Sequence, residues 1–144
     1  MKQCLSILLV LSAGLLFACT STTAPQPAAE VTGQKVSVTG GSYTDISVAE
    51  LQTMLAGKDF TFVNVHIPFE GDIAETDVSI AYDQIDQNLD KLPADKNAKI
   101  VLYCRSGRMS TIAAETLVGL GYTNIWQLTG GMVAWEQAGL PIDR

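Results

Sequence analysis

Three observations in the sequence predict an α/β fold, a central, mainly parallel sheet flanked by helices. Short apolar runs of strand length alternate with segments whose apolar residues recur every three or four positions. Phe60–Val65 and Lys99–Tyr103 read as buried strands. About one hundred residues follow a polar, proline-bearing stretch, enough for one domain with one core and too few for two.

Each element has its own signal. Tyr43–Ile46 reads as a short strand, and Ser47-Val48-Ala49-Glu50 is a capping-box pattern opening a helix with Val48, Leu51 and Leu55 on one face. Gly57 is placed to end that helix. The Phe60–Val65 strand runs into a loop that continues to Asp77 and contains Pro68 and Gly71. Val78–Ala81 reads as a brief strand. Ile85, Leu89 and Leu92 then form a helical stripe ending near Pro93. After the Lys99–Tyr103 strand, Ala113, Leu117 and Leu120 keep helical spacing. Asn124–Leu128 is the last strand, and Gly130-Gly131 opens a final helix around Met132, Ala134 and Trp135.

The N-terminal part reads differently. Lys2 precedes an uncharged apolar run from Leu5 to Phe17, too short to span a bilayer, and small Ala18 stands before Cys19. This is the pattern of an export signal over residues 1–18, and its ending resembles a bacterial lipoprotein box. That resemblance implies cleavage before Cys19, lipidation of Cys19 by diacylglycerol and an acyl chain such as palmitate, and anchoring to a membrane outside the cytoplasm. With Thr20 next, it implies the periplasmic face of the outer membrane in a Gram-negative cell and the outer face of the cell membrane otherwise. Residues 19–41 are expected to be a flexible tether and 42–144 the folded domain. A plain secretory signal cleaved nearby is the competing reading.

The whole chain has 9 basic and 15 acidic residues. Loss of Lys2 with the signal leaves 8 against 15, a net charge of −7, so nucleic acid is excluded as a partner. Cleavage also removes Cys4, and lipidation of Cys19 would leave Cys104 as one unpaired thiol in a compartment where cysteines pair. Such a thiol calls for a chemical reason.

Position supplies one. Cys104 stands between a strand and a helix and opens Cys104-Arg105-Ser106-Gly107-Arg108-Met109-Ser110. A helix start offers N–H groups without intrahelical partners and partial positive charge, a setting in which a thiol serves as a nucleophile. Gly107 permits backbone angles that let those N–H groups converge on the sulfur or an anion, and Arg105 and Arg108 could hold a small oxyanion. Ligands of parallel sheets bind at the carboxyl ends of the strands, where Asn64 and His66 also fall. The acidic residues Glu70, Asp72, Glu75 and Asp77 lack the spacing of a calcium loop and read as a solvated rim.

At this point the chain resembles the rhodanese family from about Ser42 to Arg144. The Cys104–Ser110 run is similar to that family's six-residue catalytic loop and the small hydroxyl residue after it. Gly130-Gly131-Met132-Val133-Ala134-Trp135 with Ala138-Gly139-Leu140-Pro141 is similar to its closing motif. The resemblance implies a rhodanese-like α/β fold and a thiosulfate sulfurtransferase-type enzyme. Cys104 would take the sulfane sulfur of a donor such as thiosulfate as a persulfide and pass it to cyanide or a thiol, with no cofactor and no metal. Arg105, Ser106, Gly107, Arg108, Met109, Ser110 and His66 would bind the substrate. Asn64-Val65-His66 departs from the family's frequent Asp-Val-Arg, and Phe69–Ala74 from its Gly-His-Ile-Pro-Gly-Ala. The alternative is a noncatalytic sulfur- or anion-binding module. A tyrosine phosphatase would need arginine where Ser110 stands, and a Cys-x-x-Cys enzyme a cysteine at Gly107.

Overall fold

The computed structural model describes residues 30–144; the leader, Cys19 and the chain to residue 29 lie outside the described residues. Six strands form one sheet: β1 (Gln34–Val38), β2 (Gly41–Ile46), β3 (Thr61–Asn64), β4 (Val78–Ser79), β5 (Ile100–Tyr103) and β6 (Ile125–Leu128). Their order is β1-β2-β6-β5-β3-β4. Only the β1–β2 pair is antiparallel. The helices are α1 (Val48–Leu55), α2 (Arg108–Gly119) and α3 (Gly131–Gln137). The expected α/β architecture, a mainly parallel sheet flanked by helices, is what the chain adopts.

Strand periodicity divides the core between the two faces of the sheet. Val63, Ile100, Leu102 and Ile125 face α2, where they pack with Ala113, Leu117, Ile85 and Leu92. Phe62, Val101, Tyr103 and Leu128 face α1 and α3, where they meet Leu51, Met132 and Trp135. Because both faces are covered, β5 reads as a continuous apolar run, Ile100-Val101-Leu102-Tyr103. Each large side chain removed from water there stabilises the fold by about 1.5–3 kcal/mol.

The capping box forms as the sequence predicts. The Glu50 N–H donates to Ser47 Oγ at 3.3 Å, and the Ser47 N–H donates to Glu50 Oε2 at 2.8 Å. Glu50 Oε1 also accepts the Gly33 N–H at 3.2 Å, tying the incoming chain to the helix start. These bonds, the one from the Ser47 N–H foremost, hold the Glu50 carboxyl below the usual range.

Two expectations are corrected. The tether does not extend to residue 41, because Gln34–Val38 pairs with Gly41–Asp45 and packs Val36 and Val38 on the core. An edge strand with one covered face needs only those alternate apolar residues. The segment carrying Ile85, Leu89 and Leu92 forms two 3-10 helices, Tyr82–Gln87 and Leu89–Lys91, in place of one α-helix. Asn88 is the cause: its side chain donates to the Gln84 carbonyl at 2.8 Å, the acceptor an α-helix would give to its N–H, and that N–H turns to Ile85 O.

Candidate active site

Cys104 leaves the carboxyl end of β5 and is almost fully buried, 1% exposed. Its Sγ accepts the Gly107 N–H at 3.1 Å, while Ser110 Oγ lies at 3.6 Å. Gly107 caps α2 with φ +98°, a left-handed conformation that turns its N–H back toward the sulfur. The next amides, from Arg108 onward, open the helix without intrahelical acceptors. Sulfur and helix start thus share one small electropositive bowl.

The closing motif explains itself here. The Met132 N–H donates to the Cys104 carbonyl and the Val133 N–H to the Arg105 carbonyl, both at 2.9 Å. The start of α3 is therefore bonded to the back of the loop, while the Gly107 N–H faces the sulfur. This close approach requires Gly131, whose φ is +54° and where an added Cβ would lie 2.1 Å from the Cys104 oxygen. Two motifs more than twenty residues apart are halves of one contact.

The two arginines occupy the rim. Arg105 is exposed and its Nη1 donates to Glu70 Oε1 at 3.1 Å, and Arg108 is exposed as well. Such a surface pair contributes about 0–1 kcal/mol, so an arriving anion can displace it. Ser106 is exposed, Met109 half-buried against the α2-side core, and Ser110 fully buried.

The neighbouring loop leaves β3 alongside β5, with the Val65 N–H donating to the Tyr103 carbonyl at 2.8 Å. His66 follows, its side chain 7% exposed, its Nε2 3.6 Å from Glu70 Oε2 and neither ring nitrogen hydrogen-bonded. Glu70 accordingly stands between His66 and Arg105. The acidic stretch is not simply a solvated rim. Asn64 Nδ2 donates to the Gly71 carbonyl at 3.0 Å and to Asp72 Oδ1 at 2.8 Å, and its Oδ1 accepts the His66 N–H. Asp72 also accepts from the Tyr103 hydroxyl at 3.1 Å, and that hydroxyl accepts the Ile73 N–H at 3.0 Å. Burial above all, with Asp72 beside it, pushes the Tyr103 phenol far up, so it remains a donor. The Asp77 carboxyl is held low despite its desolvation, because Lys58 and the Phe62 N–H bond to it.

Sequence reasoning missed Gln127 and Asp45. Ser110 Oγ is 2.8 Å from Gln127 Oε1, and Gln127 Nε2 donates to Asp45 Oδ1. The available signal was a glutamine in the otherwise apolar strand Ile125-Trp126-Gln127-Leu128, now 4% exposed.

Comparison with known proteins bears on the domain as a whole. A family model described as a rhodanese-like domain matches residues 47–138. A sulfurtransferase of Allochromatium vinosum is 32% identical over 94 residues, covering 63% of this chain and 85% of that protein. A tRNA uridine(34) hydroxylase of Erwinia tasmaniensis is 28% identical over 112 residues, 71% of this chain but only 31% of that longer protein. The crystal structure of a rhodanese-related protein from Thermoplasma volcanium superposes with a TM-score of 0.58 at 31% identity, covering 68% of this chain and 95% of that one.

Proposed function

The chain belongs to the rhodanese-like domain family, and from that premise we propose that it moves a sulfane sulfur from thiosulfate to a nucleophilic acceptor through a persulfide on Cys104. The observation that carries this reading is the Cys104 sulfur held at a helix start by the Gly107 N–H at 3.1 Å. The Cys104 thiolate attacks the outer sulfur of thiosulfate, the sulfur–sulfur bond breaks, and sulfite leaves with the bonding pair. Cyanide or a thiol then attacks the outer sulfur of the persulfide, and Cys104 departs as thiolate. Both steps place negative charge in the bowl, where the unpaired amides at the start of α2 and the Arg105 and Arg108 side chains stabilise it. Ser106, Gly107, Met109 and Ser110 shape the bowl. His66, with two unspent ring nitrogens beside Glu70, is assigned to the oxygens of the incoming anion.

Mass spectrometry of the full chain after exposure to thiosulfate tests the reading. A gain of one sulfur on the Cys104 peptide, cleared by cyanide and absent from Cys104→Ser, is the expected result; no adduct on folded, reduced protein would overturn it. The burial of Cys104 and the engagement of Arg105 by Glu70 favour the alternative, a noncatalytic sulfur- or anion-binding module. That reading predicts an adduct without turnover.

The same proposal includes export and lipid anchoring through Cys19. Glu30 and Val31 line a cavity with Asp59 and Lys99, residues that precede β3 and β5, whereas Cys104 follows β5. The mass of the mature N-terminal peptide from cells decides it: a lipidated Cys19 is expected, and an unmodified N-terminus would overturn it.

A further inference from the structure

On the α2-facing side of the sheet a line of polar side chains crosses neighbouring strands. Asp45 on β2 and Gln127 on β6 are register partners, Ser110 lies above them on α2, and Cys104 follows β5. Ser110 is 0% exposed and Gln127 4%. Every bond in this line has a direction set by chemistry. A carboxylate only accepts, so Asp45 takes the Gln127 Nε2–H and turns the amide oxygen toward Ser110. An amide oxygen also only accepts, so Ser110 donates to Gln127 Oε1 at 2.8 Å.

The Ser110 hydroxyl has one proton and three acceptors within reach. They are Gln127 Oε1 at 2.8 Å, the Gly107 carbonyl at 2.9 Å and Cys104 Sγ at 3.6 Å. The Gly107 carbonyl is shared with the Thr111 N–H at 3.0 Å, whereas Gln127 Oε1 is nearer and accepts from Ser110 alone, which makes it the principal rival of the sulfur.

We propose that Gln127, oriented by Asp45, is a positioning residue that competes with the Cys104 sulfur for the Ser110 proton. An anionic sulfur draws the proton, because a hydrogen bond to a charged acceptor is about twice as strong as one to a neutral amide. A neutral sulfur releases it to Gln127. In the persulfide the negative charge moves to the outer sulfur, and Ser110 returns to Gln127. When the acceptor attacks the outer sulfur and Sγ regains charge as the leaving thiolate, Ser110 swings back. The relay thus matches its donor to the sulfur atom that carries the charge. This inference rests on Cys104 being the nucleophile of the proposed reaction.

The test is the pH profile of Cys104 alkylation by iodoacetamide in the full chain, read on the Cys104 peptide by mass spectrometry. Gln127→Met keeps the volume and removes the rival acceptor; it is expected to raise the rate on the acid limb about three- to tenfold. Ser110→Ala removes the donor and is expected to lower that rate by a similar factor. The Ser110→Ala/Gln127→Met double variant should match Ser110→Ala alone. Asp45→Asn lets the amide turn over and should shift the acid limb in the same direction as Gln127→Met; being half-exposed, it carries the test should Gln127→Met not fold.

An unmoved profile in folded variants, or a Gln127→Met effect that persists in the Ser110→Ala background, overturns the proposal. Alkylation does not require sulfur transfer, so the two readings fail separately. A profile that moves in a protein forming no thiosulfate adduct sinks the transfer reading and leaves the relay standing, whereas an adduct with an unmoved profile does the reverse.

Discussion

The loops that leave β5 and β3 lie side by side at the carboxyl end of the sheet and are built on opposite principles. Around Cys104 the main chain makes the site: the Gly107 N–H meets the sulfur, and α3 amides secure the carbonyls of Cys104 and Arg105. Around His66 the side chains make the loop, through Asn64, Asp72 and Tyr103, while the imidazole itself is left unbonded. A main-chain site tolerates exchange of many side chains but no added bulk at its glycines. A side-chain clasp fails when one charge or hydroxyl changes and leaves the nucleophile intact.

Substitutions can break that contrast, and the largest effect is expected at Gly131→Ala. A methyl group 2.1 Å from the Cys104 oxygen forces the loop and α3 apart, costing about 3 kcal/mol or more and abolishing the sulfur adduct. Calorimetry with adduct mass spectrometry checks both. Retained adduct formation at wild-type stability would remove α3 from the site.

Next comes Asn64→Asp, which sets a second carboxylate where the amide now donates to Asp72 at 2.8 Å. Denaturant unfolding is expected to show a loss of about 2–4 kcal/mol at neutral pH, shrinking in acid once one carboxyl is protonated. This also accounts for the departure from the family's usual acidic residue at position 64. The acid of this clasp is Asp72, and its partner must be a donor.

Tyr103→Phe leaves the buried Ile73 N–H without its acceptor, a cost of about 1–3 kcal/mol, while persulfide formation on the adjoining Cys104 is retained. His66→Leu buries no new polar atom and removes two that lack partners. Its stability is expected to stay within about 1 kcal/mol of the parent. If the imidazole serves the incoming anion, KM for thiosulfate rises several-fold with kcat little changed; an unmoved KM would make the β3 loop purely structural.

The smallest effect is on acid stability. Glu50 and Asp77 have folded-state values below their unfolded ones, so each contributes stability above the unfolded carboxylate range, about pH 4. That contribution is lost as pH falls through the lower folded values. Melting temperature measured from pH 5 to pH 3 should fall, and Glu50→Gln with Asp77→Asn should flatten the slope.

Much of the fold was legible because its signals are local. The capping box at Ser47 and Glu50, the buried β3 and apolar β5 segments and the glycine-punctuated loop after Cys104 each lie within a few residues. The stripe of Ile85, Leu89 and Leu92 misled because one amide, Asn88, competes for the helical acceptor. Gln34–Val38 was hidden because an edge strand next to a polar tether carries little apolar content of its own.

By itself the sequence determined where strands and helices alternate, which cysteine stands at a helix start, and which glycines surround it. Those properties follow from backbone preference and the period of buried residues. Tertiary structure alone decided that Asp45 would hold Gln127 from 82 residues away, that Glu70 would stand between His66 and Arg105, and that Gly131 would support Cys104. The orientation of a hydrogen bond depends on where two distant strands meet in register, and no local pattern records that meeting.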